Sequence, residues 1–236
     1  MSRTEAIAPP IPTTVKPRTD VRTFWRVLLA VVAPLPMLAK GIYYMISPVP
    51  GDADFATTTR AFAAVPGLAE TLRTLDIVFC VLLVPAVYAV VWATRRGAPK
   101  LTTIGGFVSL TGCLAGFGLM GGITTPPYLA AVRGLDANAM RALEATTEND
   151  PVYQWASLLF IAGIVLGLGL LGAALWRSGV APAWFGIALL LGGATHPFIP
   201  GSVGQGIGLL VAAVGFAGAS VALLRTRNDD FDLPPA

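Results

Sequence analysis

Three polar residues, Lys40, Asp76 and His196, are the candidates for chemistry within otherwise apolar parts of this chain. Ionisable side chains are costly in a lipid environment and are often functional where they occur there. Each of the three falls near one end of an apolar stretch, so together they could line a ligand-binding vestibule. The middle of each apolar stretch carries no Asp or Glu, which argues against a proton-coupled mechanism.

Lys40 has three possible roles. It follows Trp25 by fifteen residues, about 22 Å along a helix, so we expect its ammonium to snorkel to the headgroup level. One alternative is an ion pair with Asp76. The other is an ammonium that binds a ligand.

His196 is the only histidine, and it lies in a segment that Pro197 and Pro200 interrupt. Prolines free backbone carbonyls, which nearby side chains or water must then satisfy. We therefore expect a structural hydrogen-bonding role, with catalysis or metal binding as the alternative. A single histidine also excludes bis-histidine haem ligation within one chain.

The remaining chemistry-bearing residues form no recognisable site. Cys80 and Cys113 each lie in an apolar stretch without a CxxC motif, which is typical of small buried side chains. The chain contains no P-loop, Rossmann fingerprint, HExxH or GxSxG motif. The sequence thus predicts no catalytic residues, no cofactor and no metal site.

Glycines at four-residue spacing give a structural signal instead. Small residues separated by three others let helix backbones approach closely in lipid. We expect packing seams, within one chain or between chains, at the pairs Gly112/Gly116, Gly118/Gly122, Gly163/Gly167 and Gly204/Gly208.

These residues belong to a chain whose composition is that of a membrane protein. Hydrophobic residues make up 55% of it and charged residues 12%, about half the charge of a soluble domain. The apolar residues are gathered into blocks long enough to cross a hydrocarbon core of about 30 Å. The sequence predicts an all-α bundle of six transmembrane helices, at about 24–46, 76–93, 102–120, 152–176, 182–199 and 203–224.

Lysine and arginine positions predict the orientation, because positively charged flanks are retained in the cytoplasm. Eleven of them fall on one side of the six-helix arrangement. The four on the other side, Arg60, Arg73, Arg133 and Arg141, are outnumbered by Asp and Glu. We expect a multi-pass protein of the cell membrane with both termini in the cytoplasm.

Outside the six-helix domain, 23–225, the chain has two tails and two long connections. Proline-rich residues 1–22 predict a disordered cytoplasmic tail, and 226–236 an acidic cytoplasmic tail. The connections at 47–75 and 121–151 are too long for plain coil, so we expect them to be partly helical and to cap the outer mouth. In the first, Pro66-Gly67 should start a second short helix that leads into the membrane; in the second, Asp136 should cap a helix.

Two classes of function follow. The favoured one is a non-catalytic accessory component, which binds lipid, other membrane proteins or a second copy of itself through the glycine seams and outer connections. The other is a small transporter or a lipid- or ligand-binding protein with an outward vestibule lined by Lys40, Asp76 and His196. An intramembrane enzyme ranks third, because no nucleophile and base are paired. The small net charge of +3 argues against nucleic acid as a partner.

Overall fold

The computed structural model describes residues 20–49, 53–120, 122 and 124–232, without the side chains of Thr195 and His196. The predicted N-terminal tail up to residue 19 lies outside the described residues. The described part is helical, without strands. Its α-helices are α1 (Arg22–Val32), α2 (Leu35–Ile46), α3 (Phe55–Ala64), α4 (Pro66–Thr94), α5 (Pro99–Phe117), α6 (Thr125–Arg133), α7 (Ala137–Glu148), α8 (Pro151–Ala162), α9 (Leu168–Ser178), α10 (Ala183–Thr195), α11 (Ser202–Arg225) and α12 (Asn228–Phe231).

Five helices of the described residues are long and apolar enough to cross a membrane. They are Arg22–Ile46, Pro66–Thr94, Pro99–Phe117, Pro151–Ser178 and Ser202–Arg225. The predicted span at 182–199 is a shorter apolar helix, α10, which is followed by a 3₁₀ turn at His196–Phe198. Pro197 lacks the N–H that a continuing α-helix would need, which explains the early end.

The second long helix begins ten residues earlier than the sequence indicated. The helix expected to start at Pro66-Gly67 does start there, but it is not a short one, because it continues without a break from Pro66 to Thr94. Pro66 occupies the first helical turn, where its missing N–H has no consequence. Ala69 and Leu72, in the added turns, are buried in an apolar cluster with Phe62 and Tyr128, so packing rather than lipid stabilises this extension.

Two of the spans are interrupted. α1 and α2 are separated at Ala33–Pro34, where proline cannot donate to the preceding turn. α8 and α9 are joined by a π-helical turn at Gly163–Gly167, whose wider backbone leaves carbonyl groups without their usual partners. The Ser109 hydroxyl, fully buried on α5, donates to the Gly163 carbonyl at 3.3 Å.

The main core lies between α4, α9, α10 and α11. Its largest fully buried side chains include Phe216 and Leu209 of α11, Leu83 of α4, Leu171 of α9 and Leu189 of α10. Most other large apolar side chains on the long helices face outward, as expected where the solvent is lipid.

The bundle has two distinct ends. The cap end carries α3, α6, α7 and the first turns of α4, and Ser202 donates there to the Val49 carbonyl at 3.2 Å. The tail end carries the start of α1, the turn at 95–98 and the C-terminal segment, which we define as residues 226–232. Asn228 donates to the Thr23 hydroxyl at 2.8 Å, so the start of α1 and the end of α11 lie at the same end.

Candidate functional site

An ion pair lies inside the bundle near its cap end. The Lys40 ammonium of α2 donates a hydrogen bond to the Asp76 carboxylate of α4. Only 15% of the Lys40 side chain and 25% of the Asp76 side chain are exposed. Asp76 follows Pro66 by ten residues, which places it about 15 Å along α4 from the cap end.

Aromatic rings surround the Lys40 ammonium. The Tyr43 ring centroid lies 4.1 Å from Nζ, and the centroids of Tyr44 and Phe79 lie 5.4 and 5.5 Å away. Ring faces attract cations at such distances. A carboxylate and ring faces inside the bundle thus take the place of water around the Lys40 ammonium, whereas its snorkelling to the headgroup level stays a prediction. The alternative pairing with Asp76 is what the structure contains.

A cavity of about 200 Å³ opens beside this pair. It lies under the cap, between α2, α3, α4 and α6. Its lining residues are Tyr43, Phe62, Ala69, Leu72, Arg73, Asp76, Ile77, Met120, Thr124, Thr125 and Tyr128. A few polar groups within a largely apolar and aromatic wall are typical of small-molecule sites.

Two of the polar side chains that line this cavity, Arg73 and Tyr128, are not held in an ion pair by the described residues. Among the described residues, Arg73 makes no ion pair, and its guanidinium carbon lies 4.7 Å from the Tyr128 ring centroid. The Tyr128 hydroxyl is buried and makes no close hydrogen bond to the described residues, with Glu70 and Arg133 as charged neighbours. Burial, followed by the Glu70 carboxylate, raises the pKa of Tyr128, so its hydroxyl is protonated and can donate. Both groups are suited to a ligand that accepts hydrogen bonds.

The cap helices are held over the cavity by contacts with α4. Arg133, in the last turn of α6, pairs with Glu70 of α4 at 2.7 Å, although both side chains are substantially exposed. α3 starts at the Asp54 cap, whose carboxylate accepts from the Thr57 N–H at 2.8 Å. Hydrogen bonding from Thr57 holds the pKa of Asp54 below its ordinary value. The cap is thus a folded element with its own apolar cluster.

The second connection also folds as helices. Asp136 accepts from the Ala139 N–H at 2.7 Å and caps α7, at the position that the sequence indicates. α7 has no buried residue. It contacts α6 and α8 and lies beside the cavity-forming helices without lining the cavity.

Of the three candidate residues, the structure brings two together. Lys40 and Asp76 are paired, and Asp76 lines the cavity. The side chain of His196 lies outside the described residues. Its backbone forms the 3₁₀ turn between α10 and α11, where Pro197 also lines a shallow surface groove with Ser47.

The candidate packing glycines lie at close helix contacts of differing kinds. A Cβ added at Gly112 would lie 2.6 Å from the Gly163 Cα, so α5 and the π-helical turn touch through their backbones. Gly167 faces Ser109, and Gly116 faces the Phe160 ring. Gly204 meets Ile199 from the preceding turn, and the Gly208 carbonyl lies against Gly192 of α10. These contacts are made within one chain.

The sequence did not single out Arg73, Tyr43 or Tyr128 as site residues. Arg73 and Asp76 stand three residues apart, which places them on one face of α4. That signal was hidden because residues 66–75 were expected to lie outside the long helix. Tyr128 gave no signal, since only the packing of α6 on α4 brings it to the cavity.

Comparison of the chain with protein-family models, curated proteins and solved structures gives no match, so only the chemistry of the molecule itself bears on its function.

Proposed function

We propose that the chain is a multi-pass protein of the cell membrane that binds a small organic anion in the cavity under its cap. The observation that carries this proposal is the polar lining of that cavity. Arg73 makes no ion pair among the described residues, and it shares the cavity with the buried Tyr128 hydroxyl and with an Asp76 carboxylate that Lys40 already neutralises. The surplus charge at the cavity is positive.

The size of the cavity limits the ligand. A dry cavity of about 150 Å³ holds one benzene molecule, and this cavity has about 200 Å³. A carboxylate carried on a single ring or a short branched chain matches this volume. Phe62, Leu72 and Ile77 would contact its apolar part, while Arg73 and Tyr128 would contact its oxygens.

The proposal includes six crossings with both ends cytoplasmic. The C-terminal segment contacts the start of α1, and an even number of crossings is the arrangement that puts the two at one membrane face. α10 has 13 residues, about 20 Å, and the 3₁₀ turn of three residues adds about 6 Å. The two together are long enough to serve as the sixth crossing between the tail end and the cap end.

Orientation in the proposal follows the charge pattern. Arg22, Arg95, Arg96 and Arg177 gather near the tail end, as expected for a cytoplasmic face. The cap end would then face the extracytoplasmic side, and the cavity would receive its ligand from there.

The accessory function favoured by the sequence has less support in the geometry. It relied on glycine seams as surfaces for other proteins. In the structure, Gly112, Gly163, Gly167 and Gly116 contact other helices of the same chain. An interaction role would therefore need a surface other than these seams.

Thermal unfolding in detergent with benzoate as the probe tests the proposal. Benzoate is a ring carboxylate of the right size, and benzamide is its neutral counterpart of nearly the same shape. We expect benzoate to raise the melting temperature in proportion to the logarithm of its concentration at saturation, and benzamide to do so much less. Arg73→Gln should remove the difference between the two compounds.

The control variant is Arg60→Gln, which removes an exposed arginine of α3 that does not line the cavity. This variant should keep the full response to benzoate. Equal responses to benzoate and benzamide, or the same loss of response in Arg60→Gln as in Arg73→Gln, would refute an anion site in this cavity.

A further inference from the structure

An apolar groove of about 590 Å³ runs along the outside of the bundle toward its tail end. α1, α4 and α5 form its walls, through Trp25, Leu29, Val84, Pro85, Tyr88 and Leu110. Trp92 and Phe231 line it at the tail end. The groove is remote from the cavity under the cap.

The groove has the length of one membrane leaflet. Val84 and Trp92 are eight residues apart on α4, about 12 Å along the helix, and half of a hydrocarbon core is about 15 Å. Trp25, Tyr88 and Trp92 lie toward the tail end, where aromatic side chains sit at the headgroup level. An apolar channel of this length beside the bilayer matches an acyl chain.

Arginines without carboxylate partners stand at the tail end of the groove. Among the described residues, Arg26, Arg95 and Arg96 make no ion pair. The Nε atoms of Arg26 and Arg95 are buried without an acceptor. Among the described residues, Arg95 donates to the carbonyls of Trp92 and Phe231 and to no carboxylate, and burial together with the neighbouring Arg96 charge lowers its pKa.

Arg95 adjoins the groove wall, since its guanidinium carbon lies 3.8 Å from the Trp92 ring centroid. Asp232 is the one carboxylate among the described residues that line the groove. A neighbouring cavity at the tail end shares Trp92 and Phe231 with the groove, and its charged lining residues are Arg95, Arg96, Arg225, Arg227 and Asp230. The charge at the mouth therefore favours an anionic headgroup over a zwitterionic one.

We propose that this groove binds one acyl chain of an anionic phospholipid, with the lipid phosphate at Arg95. The orientation proposed above puts this lipid in the cytoplasmic leaflet, but the inference does not depend on the ligand of the cap cavity. The C-terminal segment takes part in the site, since Phe231 forms its floor and the Phe231 carbonyl holds Arg95 in place.

Native mass spectrometry of the full chain tests this inference. The protein is exchanged into detergent micelles that contain equal amounts of phosphatidylglycerol and phosphatidylcholine, and the retained lipid is counted per chain. We expect retention of one phosphatidylglycerol in preference to phosphatidylcholine. Arg95→Gln should reduce that preference about fivefold, as expected for one basic residue at a membrane surface.

Separate variants test the apolar groove that holds the acyl chain and the basic site that holds the headgroup. Leu110→Trp fills the groove and should abolish lipid retention, whereas Leu114→Trp, one turn along α5 at a side chain that is 61% exposed, should not. Arg177→Gln, an exposed arginine at the end of α9, is the matched control for the charge and should leave the preference unchanged. Equal retention of the two lipids by the unmodified chain, or unaltered retention in Leu110→Trp, would overturn the inference.

A measurement on the unmodified protein guards against variants that fail to fold. Bromine atoms on an acyl chain quench tryptophan fluorescence at contact. At equal mole fractions in nanodiscs, brominated phosphatidylglycerol should quench the total tryptophan emission more strongly than brominated phosphatidylcholine, because it adds contact quenching at Trp25 and Trp92, which line the groove. Equal quenching would contradict an anionic lipid site.

Discussion

The Lys40 ammonium and the Asp76 carboxylate are paired between α2 and α4, with 15% and 25% of their side chains exposed. Tyr43, Tyr44 and Phe79 complete the surroundings of the ammonium. A pair removed from water to this degree gains little net free energy over an apolar replacement. Breaking it by the loss of one partner is costly, because the remaining charge stays buried.

Charge reversal at this pair should therefore follow a pattern of loss and rescue. Lys40→Glu and Asp76→Lys should each lower the free energy of unfolding by about 3–5 kcal/mol, since each places two like charges together. The double variant should recover most of that loss. Thermal unfolding in detergent measures all three, and absence of rescue would show that the two residues do not act as a pair.

The Arg133–Glu70 pair provides the comparison. Its side chains are 57% and 42% exposed, so water already solvates both charges. Reversal of either residue should change the free energy of unfolding by about 1 kcal/mol or less. A loss as large as that at Lys40 would mean that the cap depends on this surface pair far more than its exposure indicates.

The contact between Gly112 and Gly163 should tolerate no additional methyl group. A Cβ at Gly112 would lie 2.6 Å from both the Gly163 Cα and the Leu159 carbonyl oxygen, which are backbone atoms that cannot move aside cheaply. Gly112→Ala should therefore destabilise the bundle by about 1–3 kcal/mol, the usual cost of overpacking. The midpoint of thermal unfolding reports the change.

Gly169 is the matched control, because a Cβ there would meet nothing within 4 Å. It lies in α9, so Gly169→Ala should leave stability unchanged or raise it by about 0.5–1 kcal/mol, the difference in helix propensity. If both alanine variants behaved alike, the close approach of α5 to the π-helical turn would not contribute to stability.

Much of the fold could be predicted from the sequence because lipid imposes a simple requirement on length and polarity. Uninterrupted apolar runs marked the ends of five long helices within a few residues, except for the start of α4. The start of α4 was missed because Glu70 and Arg73 interrupt its apolar pattern, and only the contacts of Ala69 and Leu72 with the cap explain why the helix extends that far.

Less of the candidate site than of the fold could be predicted from the sequence. Lys40 and Asp76 stood out because charge is rare in such surroundings, and their pairing could be named as one option. Arg73 and Tyr128 looked like ordinary residues of a polar connection. Their role depends on tertiary contacts between α4 and α6, which no local pattern encodes.

The proposed topology predicts where reporters inserted in the chain will reside. A reporter fused after Arg227 should remain cytoplasmic, and one inserted between residues 49 and 53 should be exported. With five crossings, the start of α1 and the C-terminal segment would lie on opposite sides of the membrane. A third reporter, inserted at the turn 96–98, is expected to lie in the cytoplasm. Export of the reporter after Arg227 would exclude an even number of crossings.

The docking of the C-terminal segment should depend on one side chain, Phe231. Only 6% of this residue is exposed. Its ring centroid lies 5.5 Å from that of Trp92, and the Trp92 Nε1–H donates to the Phe231 carbonyl at 3.1 Å. The neighbouring contacts of Arg22 with Asp229, at 3.7 Å between exposed side chains, are weaker. The aromatic contact should therefore provide most of the docking energy.

Phe231→Ala should release this segment and expose Trp92 to water. Loss of one buried phenyl ring corresponds to about 1.5–3 kcal/mol, enough to undock a short segment while the bundle remains folded. Trp92 emission should shift to longer wavelength, and a protease should cleave after Arg227 at a higher rate. Phe198→Ala, which removes a ring that is 73% exposed, should change neither. If emission and cleavage stay at their original values in Phe231→Ala, the segment must be held by its polar contacts instead.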